Sequence, residues 1–214
     1  LLKNIKDGKS NKSEIEFWDN RLAEEASNIF FERNKIIKTI TKSCKKFAKN
    51  FNNNINLDVK YLPKIGRNLE NKFLDEDPST DEIKLIFYES LKKNHNRDID
   101  QRITTIGPHR DDFEIVFNDS PASITASRGQ SRIISLSLKL SEAKEIRSIT
   151  KRKPILILDD IFSELDENMR QKVVSEILDF DQILLSTADI ELIDKNKISN
   201  GKYFSISEGE VSED

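Results

Sequence analysis

Ile155-Leu156-Ile157-Leu158-Asp159-Asp160-Ile161-Phe162-Ser163-Glu164-Leu165-Asp166 is the stretch that decides the fold of this chain. Four aliphatic residues without polar alternation predict a strand over Ile155–Leu158 buried on both faces, as in a parallel sheet. Ligands of open α/β sheets bind beyond the carboxyl ends of the strands, where the two acids stand. Adjacent strand residues point opposite ways, so Asp159 and Asp160 have separate tasks. Asp159 is expected to hold hydrated magnesium, which takes one or two carboxylates plus phosphate oxygens. Asp160 is expected to orient an attacking water. The bland alternative is a pair of solvated loop acids.

About thirty residues upstream, Ser127-Arg128-Gly129-Gln130 opens an amphipathic run through Ile133, Ile134, Leu136, Leu138, Leu140 and Ala143. That pattern predicts a helix over about 130–149. A helix N-terminus presents free amides to an anion, and Gly129 lets backbone approach a phosphate closely. The same tetrapeptide also reads as a Ser-capped turn. Downstream, Ser163 or Asp166 caps a helix near Met169–Leu178, and Ile183–Ser186 reads as a strand. Further strands are expected at Arg102–Ile106, Phe113–Phe117 and Tyr203–Ile206. Alternating strands and helices argue for an α/β layered sheet.

The first hundred residues read differently. Ser13-Glu14-Ile15-Glu16 has the form of a capping box. Apolar residues then recur at helical spacing from Ile15 and Trp18 through Cys44 and Phe47 to Phe51. Such a helix is roughly 50 Å long at 1.5 Å per residue and reads as an arm. After the Asn-rich stretch Asn50–Asn56, the residues Ile55, Leu57, Val59 and Tyr61 alternate like a strand that Pro63 and Gly66 break. A second capping box, Ser79-Thr80-Asp81-Glu82, starts a helix through Leu91. Lys35, Lys38, Lys42, Lys45 and Lys49 form a basic stripe opposite Ile37, Ile40, Cys44 and Phe47. It is a solvated face or a track for a phosphate backbone. Two regions are expected: 1–100, a helical arm or lid with a short strand, and 101–214, the layered sheet.

Composition narrows the classes. The 214 residues are 36% hydrophobic and 34% charged, which allows a globular core. No apolar run approaches the roughly 20 residues of a membrane span, so a membrane partner is not expected. One cysteine, Cys44, excludes an internal disulfide, fits a reducing cytoplasm and sits on the apolar side of its helix. With two histidines and that cysteine, zinc is not expected. The net charge of −3 hides basic residues clustered between Arg33 and Lys64 and acids dominating after Asp159. Leu1-Leu2-Lys3 reads like mid-helix, so the chain is read as a fragment without its natural start.

On these residues the chain resembles the RecF family, bacterial recombination-repair proteins with an ABC-type ATPase head related to SMC heads. Ser127–Gln130 resembles the signature motif, Ile155–Asp160 the Walker B strand and Ser163–Asp166 the D-loop. Thr105-Ile106-Gly107-Pro108-His109-Arg110-Asp111-Asp112 resembles a RecF segment. Two departures matter. No GxxxxGK[ST] loop is present; Gly8-Lys9-Ser10 is a chance match, because Lys3 stands where the first glycine belongs and no strand precedes it. The next strand is followed by Thr187 rather than the histidine of many ABC heads, which is within the family pattern.

The resemblance implies ATP sandwiched between two subunits of an ATP-dependent homodimer. Ser127, Gly129 and Gln130 would touch the partner's γ-phosphate, with Ser163 and Asp166 also nucleotide-binding. Asp159 would hold Mg2+, and Asp160 and Thr187 would be catalytic. The expected activity is slow, DNA-stimulated ATP hydrolysis that opens a dimer closed on single-stranded, gapped or junction DNA. This chain alone is expected to bind ATP poorly. RecR and RecO are the implied partners. His109 and Arg110 either contact DNA or belong to a turn in which Arg110 pairs with Asp111 or Asp112, and the lysine stripe is the other DNA candidate. Alternative readings are a non-catalytic docking module and a magnesium-dependent nuclease.

Overall fold

The computed structural model describes residues 1–52, 54–65, 78–163, 165–194, 198 and 201–213. Asn53 of the Asn-rich stretch, the strand-breaking Gly66 and Glu164 of the D-loop lie outside the described residues.

A short helix α1 (Leu2–Lys6) precedes Gly8-Lys9-Ser10, where a phosphate loop would need a strand. Helix α2 (Ser13–Phe51) runs for 39 residues, as its apolar period predicts. Its start differs from expectation. Lys12 is the N-cap and the box between Ser13 and Glu16 does not form. Instead Ser13 N donates to Asn11 Oδ1 at 3.1 Å and Asn11 N to Glu14 Oε1 at 3.2 Å. Asparagine accepts early amides as well as serine does, and Asn11 comes first in the chain.

Nor is α2 a free arm. Its first half buries Ala23, Ala26 and Phe30 with Tyr61, Ile83, Phe87 and Leu91. Its second half buries Cys44, Phe47, Ala48 and Phe51 with Ile134, Leu140 and Val173. One helix therefore serves as the spine of two cores. Burial pushes the Cys44 thiol up to about 12, which suits packing rather than nucleophilic work.

Strand β1 (Leu57–Leu62) pairs antiparallel with β2 (Asp112–Phe117), from Leu57↔Phe117 to Leu62↔Asp112, and β2 pairs with the short β3 (Ser120–Pro121). Helix α3 (Thr80–Gln101) starts from the expected Ser79/Glu82 box. It ends at Arg102 in the left-handed region, φ 59°. The strand expected over Arg102–Ile106 is a loop. Asp98 Oδ1 accepts from Thr105 N at 3.2 Å and Thr105 Oγ1 at 2.6 Å, so these polar groups find partners locally rather than in a sheet.

After α4 (Ala122–Thr125), helix α5 (Arg128–Thr150) leads to β4 (Ile155–Asp159), α6 (Glu167–Ile177) and β5 (Gln182–Ser186). β4 and β5 are parallel, with Ile155↔Gln182 and Asp159↔Ser186 at the two ends of the register. Two-sided burial of β4 is not observed. Leu156 and Leu158 join the core with Ile133 and Leu140 of α5 and Val174 and Ile177 of α6. Ile155 and Ile157 are 54% and 71% exposed. An aliphatic run records the apolar character of both faces, but the described residues cover only one. The expected last strand forms as β6 (Phe204–Ser207) in a hairpin with β7 (Glu210–Glu213).

Candidate functional site

The parallel pair β4–β5 delivers both aspartates to one edge. Asp159, the last residue of β4, lies opposite Ser186, whose hydroxyl donates to Asp159 Oδ1. At Asp160 the chain turns with φ 44°, a left-handed conformation that aspartate tolerates better than most residues. Asp160 N donates to Ser186 O at 3.1 Å and to Ser186 Oγ at 3.3 Å. Its carbonyl accepts from Arg132 Nη1 at 3.0 Å and from Ser163 Oγ at 3.3 Å. The Asp160 backbone is thus held at both ends, by β5 and by α5. Its side-chain Oδ1 is buried and has no hydrogen-bond donor among the described residues. A buried polar oxygen left unpaired calls for a partner such as a bound water, an ion or a ligand, and Ser137 Oγ within α5 stands in the same condition.

Helix α5 begins at the signature-like tetrapeptide. Ser127 is the N-cap: its Oγ accepts from Gln130 N at 3.3 Å, and Gln130 Oε1 accepts from Ser127 N at 2.8 Å. A Ser-capped turn therefore forms, at an exposed helix start. A Cβ built on Gly129 meets nothing within 4 Å. Packing within this chain does not demand glycine there, which suits close approach from outside.

Of the two D-loop candidates for the next cap, Asp166 holds the position, with Oδ1 accepting from Met169 N at 2.8 Å. Ser163 Oγ faces Arg132 instead, at 3.0 Å. Thr187 is turned to its own loop, where Oγ1 donates to Asp189 O at 3.1 Å and accepts from Asp189 N at 3.2 Å. Asp159 and Asp160 thus share Ser186, Ser163 reaches the Asp160 carbonyl, and Thr187 follows one residue after Ser186. Two members of this cluster, Ser186 and Arg132, were missed by the sequence reading. Pairing the two strands in parallel with their ends aligned would have found Ser186. No local pattern distinguishes Arg132.

The Gly107–Asp112 segment forms a turn, held by partners other than Arg110. Gly107 has φ 130° and its N donates to Lys64 O at 3.2 Å. His109 Nε2 lies 2.9 Å from Thr104 O. Arg110 is exposed, and Asp111 pairs with Arg33 of α2 at 2.9 Å rather than with Arg110. The Asp111 side chain is only 3% exposed and also accepts from Tyr61 Oη and, at 2.8 Å, from Lys64 N. Burial first, then the Asp111 carboxylate, raises the Tyr61 hydroxyl well above its usual range. The segment ties α2, β1 and β2 together at one buried acid. On the lysine stripe, Lys35, Lys42 and Lys49 are exposed, whereas Lys45 is bridged to Asp58 at 3.1 Å.

No family model matches the chain. Over 212 residues it is 36% identical to the DNA replication and repair protein RecF of Thermoanaerobacter sp. (strain X514), covering 99% of this chain and 54% of that protein. Over 207 residues it is 32% identical to the protein of the same description from Clostridium perfringens (strain SM101 / Type A), covering 97% and 54%. A solved structure of the recombination mediator protein RecF-ATP in the RecFOR pathway superposes with a TM-score of 0.80 at 30% identity, covering 100% of this chain and 53% of that one. Its RecF-ATPrS counterpart superposes at 0.78, also at 30% identity, covering 100% and 54%. The fold is therefore the α/β, ABC-type ATPase architecture of those structures. The chain spans about half the length of the curated relatives it matches. These matches place it in the RecF family, as the counterpart of the C-terminal portion of such a protein.

Proposed function

We propose that this chain carries the signature, Walker B and D-loop part of an ATP-gated DNA-binding protein of recombinational repair. Residues 101–214 form the C-terminal half of the ATPase domain, joined in its core by the second half of α2, and the first half of α2 with α3 its arm or lid. The observation that carries this reading is Asp160: its backbone is fixed by Ser186 and Arg132 while a buried carboxylate oxygen is left without a donor.

In this reading Asp160 accepts the hydrogen bond of the attacking water, and Thr187, one residue after Ser186, orients the γ-phosphate by exchanging its bond to Asp189 O for one to a phosphate oxygen. The side chains present fit magnesium, since the exposed Asp159 offers a carboxylate at the strand end and magnesium needs only one or two beside phosphate oxygens. Bound there, magnesium would neutralise phosphate charge. Ser127, Gly129 and Gln130 contact the γ-phosphate held by a second subunit, with Ser163 and Asp166 at the seam. ATP thereby closes a homodimer on single-stranded, gapped or junction DNA, and slow hydrolysis reopens it. The phosphate-cradling lysine loop is not among residues 1–214, so ATP binding in this reading draws on sequence outside them. The RecFOR pathway named for the solved relatives supports RecR and RecO as partners, and the single cysteine fits a cytoplasmic site of action. No helix among the described residues is long and apolar enough to cross a membrane.

Sedimentation of the full-length gene product with Ser127→Arg tests the sandwich. The bulky cation at the phosphate-facing cap is expected to abolish ATP-dependent dimerisation. Dimerisation at the wild-type ATP concentration would overturn the reading.

A further inference from the structure

Arg132 lies five residues after the Ser127 cap, on a helix anchored by Ile133, Ile134, Leu136 and Leu140. Its Nη1 donates to Asp160 O and to Ser163 Oγ, both at 3.0 Å. Ser163 Oγ in turn donates to Asp160 O at 3.3 Å. These contacts close a small ring of one guanidinium, one hydroxyl and one carbonyl over the turn that follows β4. The ring holds the carbonyl side of Asp160, while Ser186 holds its amide side. A turn residue at φ 44° fastened on both sides has little freedom left to redirect its side chain.

We propose that Arg132 is a positioning residue that latches the start of α5 to the Asp160 turn. It acts on two things at once. It fixes the direction of the Asp160 carboxylate through the backbone, touching neither substrate nor the reacting atoms. It also joins two parts that serve different nucleotides, the Ser127 end of α5 facing the partner subunit's nucleotide and Asp160 facing its own. Movement of α5 on meeting the partner's phosphate is carried to Asp160 through one rigid, planar side chain. A lysine, with a compact ammonium on a flexible stem, does not hold the carbonyl and the hydroxyl in a fixed geometry. The role in hydrolysis rests on the ATP-gated reading; the latch itself does not.

The test uses the full-length gene product carrying R132K and, separately, R132A. ATP-dependent dimerisation and KM for ATP are expected to stay within about twofold of wild type. The value of kcat is expected to fall by about tenfold to a hundredfold in both variants, the scale of misplacing a catalytic group by an ångström. If R132K hydrolyses ATP within twofold of wild type, the positioning role is overturned. R132K keeps the charge and the aliphatic stem, so it remains informative where R132A fails to fold. Amide hydrogen exchange at residues 160–163 separates the two claims. Were the wild-type protein to show neither dimerisation nor hydrolysis, the functional reading would fall, and exchange alone would judge the latch. Faster exchange confined to that turn in R132K supports the latch, and unchanged exchange overturns it.

Discussion

Asp160 and Gly129 separate what the fold needs from what the proposed chemistry needs. Asp160 adopts φ 44°, so Asn, which tolerates that region, should replace it with a stability change within about 0.5 kcal/mol. A β-branched Val there should cost about 1–2 kcal/mol in a urea melt. Gly129 gives the opposite pairing. Its absent Cβ would point into open space, and alanine is the better helix former. Gly129→Ala should therefore raise stability by a few tenths to about 1 kcal/mol. In the proposed sandwich it should nonetheless weaken ATP-dependent dimerisation; a variant both more stable and equally competent would remove Gly129 from the site. Ser127 mixes the two roles, because it caps α5. Ser127→Asp keeps a capping oxygen, so stability should hold within about 0.5 kcal/mol while the added negative charge opposes a phosphate. The placement of Asp159 and Asp160 at a strand end and of Ser127 at a helix start was legible at this scale, because motif and position coincide there. Arg132 and Ser186 were not legible, because their parts depend on contacts 28 and 27 residues away in sequence.

The element that most changes meaning with structure is the Gly107–Asp112 turn. Read as a sequence it offers His109 and Arg110; folded, both stay exposed while its centre is a buried acid gathering Arg33, Tyr61 and the Lys64 amide. Asp111→Ala strands those donors and should cost about 3 kcal/mol or more in chemical denaturation. Tyr61→Phe removes one donor and should cost about 1–2 kcal/mol. The pH dependence follows from the raised Tyr61 value, since the folded state holds that proton more tightly than the unfolded chain. Tyr61's contribution is thus constant below its unfolded value of 10.0 and is lost as pH rises from there through the higher folded value. Tyr61→Phe should flatten the alkaline part of the stability profile, and an unaltered slope would deny the coupling. Helix periods, the strand runs at Leu57–Tyr61, Phe113–Phe117, Ile155–Leu158 and Ile183–Ser186, and the Ser79 box were readable because each rests on neighbouring residues. The absent strand at Arg102–Ile106 was misread because Asp98, at the end of the preceding helix, satisfies the segment's polar groups. The two-sided burial of β4 was misread because apolar character says what a face prefers, not what covers it.

For the whole molecule, α2 is the feature on which a lid and an ATPase half would move together, since its two halves bury into different cores. Its outer lysines are where a DNA backbone would be followed. Replacing the exposed Lys35, Lys42 and Lys49 with Gln should weaken DNA binding alike for all sequences. It should also lower the slope of log affinity against log salt by up to about 0.9 per lost duplex phosphate contact. Lys45, occupied by Asp58, should contribute less to that slope. If the stripe is only a solvated face, neither affinity nor slope will change. The central claim, that nucleotide closes two copies and Asp160 acts afterwards, is most directly tested by sedimentation velocity of the full-length gene product carrying Asp160→Asn, with and without ATP and magnesium. The account predicts a monomer without nucleotide and a dimer with it that persists because hydrolysis is blocked. A monomer under both conditions, with ATP shown to be bound, would contradict it.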